Sequence, residues 1–227
     1  MKEKIKIASG QGFWGDLIDA PYHQVIKGDI DYLVMDYLAE VTMSILQKQK
    51  NKNPDLGYAK DIPDMMNRIL LICVVKKIKV ITNGGGVNPK ACAKAVIDVA
   101  KSLNIKDLKV AVVDGDDILQ LVDNFVSQGA PLKNMESGEP IETVKSDLLS
   151  ANVYFGAFPI VEALKLGADI VITGRTTDTG LTLAPMIYEF NWSENDFDKL
   201  AAGTVAGHIL QCGAQASGGN FLGDWES

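Results

Sequence analysis

The stretch Lys79–Leu103, KVITNGGGVNPKACAKAVIDVAKSL, decides the fold. It opens with a short β-branched run, Val80-Ile81-Thr82, and passes into Asn83 followed by three glycines and Asn88-Pro89. Ala91, Ala95, Val96 and Val99 then recur at helical spacing. This pattern predicts strand, tight loop and helix, with Asn88 as N-cap and Pro89 in the first turn. Glycine lets the backbone adopt positive φ and bring bare N–H groups close to a ligand, and a helix N-terminus favours an anion. Gly84, Gly85 and Gly86 are therefore candidate substrate-binding positions, or simply a tight βα connection.

A second unit of the same kind occupies residues 169–187. The apolar run Asp169–Thr173 leads into Gly174-Arg175-Thr176-Thr177-Asp178-Thr179-Gly180 and then the apolar segment Leu181–Ile187. Further strands are expected at Lys4–Ala8, Asp31–Asp36, Lys109–Val113 and Ser150–Gly156, and helices at Ile18–Lys27, Tyr37–Leu46, Asp64–Lys77, Ile118–Gln128, Phe158–Leu166 and Leu200–Leu210. Alternation of this sort predicts a Rossmann-like α/β fold: one domain over 1–227, an open and mostly parallel sheet with helices on both faces. Its strand-end loops gather on one edge. Segments 9–16, 36–40, 83–89, 114–117 and 174–178 would then share a cleft.

Composition narrows the function. The 227 residues carry a net charge of −7 and no basic cluster, which argues against a nucleic-acid surface. No apolar run reaches membrane-spanning length, the longest being Ile69–Val75, and the N-terminus lacks the apolar core of a signal peptide. Cys73, Cys92 and Cys212 are widely spaced, as expected of a cytoplasmic protein without disulfides or a zinc site. There is no Walker A motif and no dinucleotide fingerprint, so neither ATP nor NAD is expected. Asp114, Asp116 and Asp117 around Gly115 invite a divalent metal, but their spacing is not that of a calcium loop, and acids at a helix start are favoured anyway.

Several side chains in those loops can do chemistry. Arg175 offers a planar fork for a carboxylate or phosphate beside Gly174, or forms a salt bridge with Asp178 or Asp169. Asp178 is a candidate acid–base group, or it holds Arg175. Asp36 and Glu40 flank the second strand-to-helix junction, where Asp36 serves the site or caps the helix. Asn83 can polarise a carbonyl, or is an ordinary turn residue. Gly12 and Trp14 mark a possible cleft wall, with core packing as the alternative. His23 and His208 have no nucleophile-elbow partner, and His208 is expected to cap or pack. The tail Gln211–Gly223 is rich in glycine and ends abruptly, which suggests one part of something longer.

Taken together, GQGFWGD (10–16), GDIDYLVMDYLAEVTMSIL (28–46), KVITNGGGVNP (79–89), VVDGDD (112–117), LSANVYFGAFPIVEALKLGADIVITGRTTDTGLTLAP (149–185) and LAAGTVAGHILQCGAQASGGNF (200–221) resemble the N-terminal domain of the acyclic terpene utilisation AtuA family. The resemblance implies catabolism of branched or terpenoid acids through CoA thioesters, with a lyase or hydratase step on an acid or acyl-CoA. It also implies a longer whole protein, so a homo-oligomer or a partner chain supplying a C-terminal part is expected. A non-catalytic subunit of an acyl-CoA-metabolising complex is the alternative.

Overall fold

The computed structural model describes residues 2–217. Part of the expected glycine-rich tail, from 218 onward, lies outside the described residues. Five strands form one wholly parallel sheet: β1 (Ile7–Gln11), β2 (Tyr32–Met35), β3 (Lys79–Thr82), β4 (Val110–Val113) and β5 (Ile170–Thr173), in the spatial order β1-β2-β3-β5-β4. The helices are α1 (Ala20–Lys27), α2 (Glu40–Lys52), α3 (Ile62–Lys76), α4 (Pro89–Ser102), α5 (Val122–Ser127), α6 (Phe158–Lys165), α7 (Gly180–Phe190) and α8 (Phe197–Leu210). The α/β fold expected from the alternation is present.

Chain order explains the layers. From β1 to β4 the chain steps in one direction across the sheet, and from β4 to β5 it steps back. Right-handed crossovers then put the helices of the first leg on one face and the later ones on the other. The two cores match. Leu33, Met35, Val80, Ile170 and Ile172 pack with Met65, Ile69, Cys92 and Val96 of α3 and α4. Tyr32, Val34, Ile81 and Val171 point the other way, onto Ile160, Leu164, Leu181 and Ile187 of α6 and α7. Alternate residues of each central strand thus feed alternate cores, and both faces are apolar.

Several expected elements differ. The segment 150–156 is not a strand; it makes only single bridges, Asn152 with Asp117 and Phe155 with Thr176. In place of the single helix expected over 118–128, a 3₁₀ turn at Leu119–Leu121 precedes the short α5. The helix after β2 begins at Glu40 rather than Tyr37, because Asp36–Leu38 are drawn into side-chain hydrogen bonds at the sheet edge. Asn88 occupies the N-cap position of α4 without capping it. Its amide instead donates to the carbonyls of Pro54 and Leu56, both at 2.7 Å, pinning the preceding loop. His208, expected to cap or pack, is not packed in the core; it lies exposed in the last turn of α8.

The triple glycine has a steric cause. A Cβ at Gly84 would stand 2.5 Å from Ile62, and one at Gly85 2.5 Å from the carbonyl oxygen of Thr173. Gly86 has φ +56° and would place a Cβ against Leu46 and 2.7 Å from the Gly57 carbonyl. Replacing Gly86 by Ala combines left-handed strain with overpacking and should cost about 2–4 kcal/mol in urea unfolding. Gly129→Ala, at φ +79° with open space around it, should cost only about 1–2 kcal/mol. Equal losses at the two positions would refute the packing account.

Candidate functional site

Adjacent strands β3 and β5 send their chains to opposite faces, β3 into α4 and β5 into α7, so their carboxyl ends frame the crevice in which open α/β sheets hold ligands. Close approach of the two loops is made possible by Gly85, which rests on the Thr173 carbonyl. Around this point the fold gathers Asp36 and Glu40 from the end of β2, Asn83 from β3, Asp116 from β4, and Arg175 and Asp178 from β5.

Arg175 is the hub. It is 3% exposed. Its backbone N–H donates to Asp116 Oδ2 at 2.8 Å. In its side chain, Nη1 donates to the Leu38 carbonyl at 2.8 Å and to Asp178 Oδ1 at 3.2 Å, and Nη2 lies 3.4 Å from Glu40 Oε1. The guanidinium carbon sits 4.2 Å from the centre of the Tyr154 ring, within cation–π range. Nε is buried without a partner. Of the two salt bridges expected for Arg175, the one to Asp178 forms; Asp169 instead accepts the Lys109 backbone N–H at 2.9 Å.

Asp36 is nearly buried, and one of its oxygens is fixed. Oδ1 accepts Asn83 Nδ2 at 2.6 Å and the Leu38 N–H at 3.2 Å. Oδ2 has no hydrogen bond from the described residues. Burial pushes its carboxyl up to about 6; the bonds from Asn83 and Leu38 oppose the rise, Asp178 adds to it, and Arg175 opposes it. Asp36 does not cap α2, whose N-cap position, Ala39, has no side-chain cap. Asn83 is fully buried and committed at both ends, accepting the Tyr37 N–H at 2.7 Å while it holds Asp36. It therefore orients the carboxylate and is not presented to a carbonyl.

Asp116 has a different use from the one its acidic neighbours suggest. It turns inward to accept both the Arg175 N–H and Asn152 Nδ2, the latter at 3.0 Å. Burial raises its carboxyl, while those two bonds oppose the rise. Gly174 is glycine because a Cβ there would strike this carboxylate. Asp114 pairs with Lys90 at 2.5 Å, and Asp117 accepts the Leu119 N–H. Among the described residues no cluster of three or more His, Cys, Asp and Glu side chains is placed to hold a metal ion.

The remaining candidates stand apart from Arg175. Gly12 abuts the backbone of Cys212 and its N–H binds Asp16. Trp14 packs against the first core. Both belong to the β1 end of the edge, two strands from β3, and no described hydrogen bond or ion pair joins them to the Arg175 cluster. Gly84, Gly85 and Gly86 are buried, with protein filling the space beside each. Tyr154 and Asn152 join the cluster although neither is a candidate on sequence grounds; both lie within the family-like stretch 149–185. The other available signal is their place in the apolar–polar run before α6, and that run reads as a strand.

A parallel open sheet with a buried arginine and a buried aspartate at the carboxyl ends of its strands defines an α/β protein. The chain belongs to the acyclic terpene utilisation family: the description "Acyclic terpene utilisation family protein AtuA" matches residues 5–227. No curated protein matches it. Among solved structures, dihydropteroate synthase from Thermus thermophilus is similar at 14% identity over 92% of this chain and 84% of that one, with a TM-score of 0.24, too low to inform the fold. No described helix is long and apolar enough to cross a membrane.

The raised Asp36 has a measurable signature. Its folded-state value, about 6, lies above the ordinary 3.8. The fold therefore favours the neutral acid: the associated stability is complete below about pH 4 and is lost as pH rises through about 6. Asp36→Asn keeps an oxygen to accept from Asn83 and Leu38 but cannot ionise. In urea unfolding it should be more stable than the wild type at pH 8, by up to about 3 kcal/mol, and should match it near pH 4. A difference independent of pH would contradict this assignment.

Proposed function

We propose that the chain binds a branched or terpenoid carboxylic acid, free or as its CoA thioester, in the crevice between the β3 and β5 loops. There it carries out a lyase- or hydratase-type step. Family membership supports the substrate class. The observation that carries the reading is the pairing, at one edge of the sheet, of a buried arginine with an unpartnered Nε and a buried aspartate with one oxygen unbonded among the described residues.

Arg175 binds the acid group. Its fork suits a carboxylate, and burial strengthens each contact by excluding water. Asp36 acts as the general base. With a value near 6 it is ionised at neutral pH yet basic enough to accept a proton. Asn83 and the Leu38 N–H fix its orientation, so Oδ2 is the atom that takes the proton. In the hydration direction a water gives this proton to Asp36 as its oxygen adds to the β-carbon of an unsaturated acid. Asp36, protonated in that step, then delivers this proton to the α-carbon, which completes the addition of water and regenerates the base, while Asp178 holds Arg175 in place. The same groups run the elimination in reverse.

On a purified chain incubated with branched α,β-unsaturated acids and their CoA thioesters, turnover should rise with pH along a limb near 6. Asp36→Asn should remove about 10²–10⁴-fold of kcat while leaving the protein folded. Arg175→Lys keeps a charge but loses the fork, and should raise KM more than it lowers kcat. Full turnover by Asp36→Asn would sink the mechanism, and unchanged binding and turnover in Arg175→Lys would sink the anion site.

A further inference from the structure

The guanidinium of Arg175 is satisfied on one edge only. Nη1 holds the Leu38 carbonyl and Asp178. The opposite edge, formed by Nε and Nη2, has a buried Nε with no partner and an Nη2 whose contact is Glu40 at 3.4 Å, a long one. A buried cationic donor left without an acceptor is costly, and a carboxylate laid along this edge would bond both nitrogens. Glu40 is the wrong shape for a permanent partner. Its side chain is 76% exposed while Arg175 is 3% exposed, and Glu40 Oε1 is also bonded by the Tyr154 hydroxyl. Tyr154 itself is 47% exposed and covers the arginine's face.

We infer that Glu40, held by Tyr154, is an internal stand-in for the ligand's acid group, and that the ligand displaces it with a carboxylate rather than a phosphate. This rests on the function proposed above and specifies the group that Arg175 receives. The charge balance selects the carboxylate. Asp36, Asp178 and Glu40 lie around a single guanidinium, and a doubly charged phosphate would meet these negative neighbours for one cation. A planar monoanion matches the free edge and replaces one carboxylate by another, leaving the charge of the cleft unchanged. Tyr154 would keep its cation–π contact, and its released hydroxyl becomes a donor for the incoming oxygen.

The test is a titration of the full chain with 3-methylbutanoate and, separately, inorganic phosphate. It is followed by calorimetry and by the ¹H–¹⁵N signal of the Arg175 Nε–H, with variant folding checked by circular dichroism. Glu40→Gln removes the competing charge at an exposed position. It should bind 3-methylbutanoate roughly two- to five-fold more tightly than the wild type, the strength of an exposed ion pair. Tyr154→Phe, which frees Glu40, should shift the same way by less. In each case carboxylate should move the Nε–H signal downfield, and phosphate should bind more weakly. Unchanged or weaker binding in Glu40→Gln, or a preference for phosphate, overturns the inference while leaving the anion site intact. If neither anion binds to wild type or variant, or if Arg175→Lys binds as well as wild type, the proposed function falls with it.

Discussion

A charged guanidinium taken out of water has to be given partners, and at Arg175 they come from the ends of β2 and β5 and from the segment before α6, while β4 supplies the acceptor for its backbone N–H. The Leu38 carbonyl and Glu40 arrive from β2, Asp116 from β4, Tyr154 from the irregular segment before α6, and Asp178 from its own loop. Removing one partner of such a buried charge is far more harmful than its contact alone suggests, because the rest remain desolvated. The loops are therefore held to one another through this cation as much as by backbone pairing. Neighbouring details follow from it. Gly174 has no side chain because Asp116 needs that space, and α2 starts late because Leu38 is occupied by the arginine and by Asp36.

Asp36 and Arg175 illustrate two ways of treating a buried charge. Arginine stays ionised and collects acceptors. Aspartate is given few donors, so desolvation raises its proton affinity to about 6. Asn83 connects the two treatments: it limits the rise while keeping the carboxylate in one orientation. Stability and reactivity pull apart at this residue, since what makes Asp36 a useful base near neutrality also makes it costly to keep ionised in the folded chain.

Much of this is legible in the sequence because it depends on neighbours in the chain. A β-branched run, a glycine loop and a 3.6-residue apolar period report local backbone geometry, and two such units imply parallel strands whose ends share an edge. Arg175, Asp36, Asn83 and Asp178 stand out by being at those ends. What sequence does not convey is direction. Asp116 lies among acids that look alike, and only the fold shows it turning toward the Arg175 N–H while Asp114 turns to Lys90. Asn83 is a candidate for polarising a substrate carbonyl on sequence grounds, but its amide is committed to Asp36 and to the Tyr37 N–H. Tyr154 reaches the cluster from a segment with no regular structure, and the strand expected there fails because neither neighbouring edge offers more than a single bridge.

The strand order has a kinetic implication. β5 lies between β3 and β4, and the Val80–Ile170 pair joins residues about 90 positions apart. As the chain leaves the ribosome, β1, β2 and β3 can assemble with α1 to α4, while β4 waits at a distance with a gap where its neighbour belongs. The inner edge of β3 stays unpaired until residues 170–173 have emerged, and an unpaired parallel edge is prone to join a foreign strand. The crevice is thus completed by the last of the five described strands to arrive, and the same insertion that delivers Arg175 closes that open edge of the nascent chain.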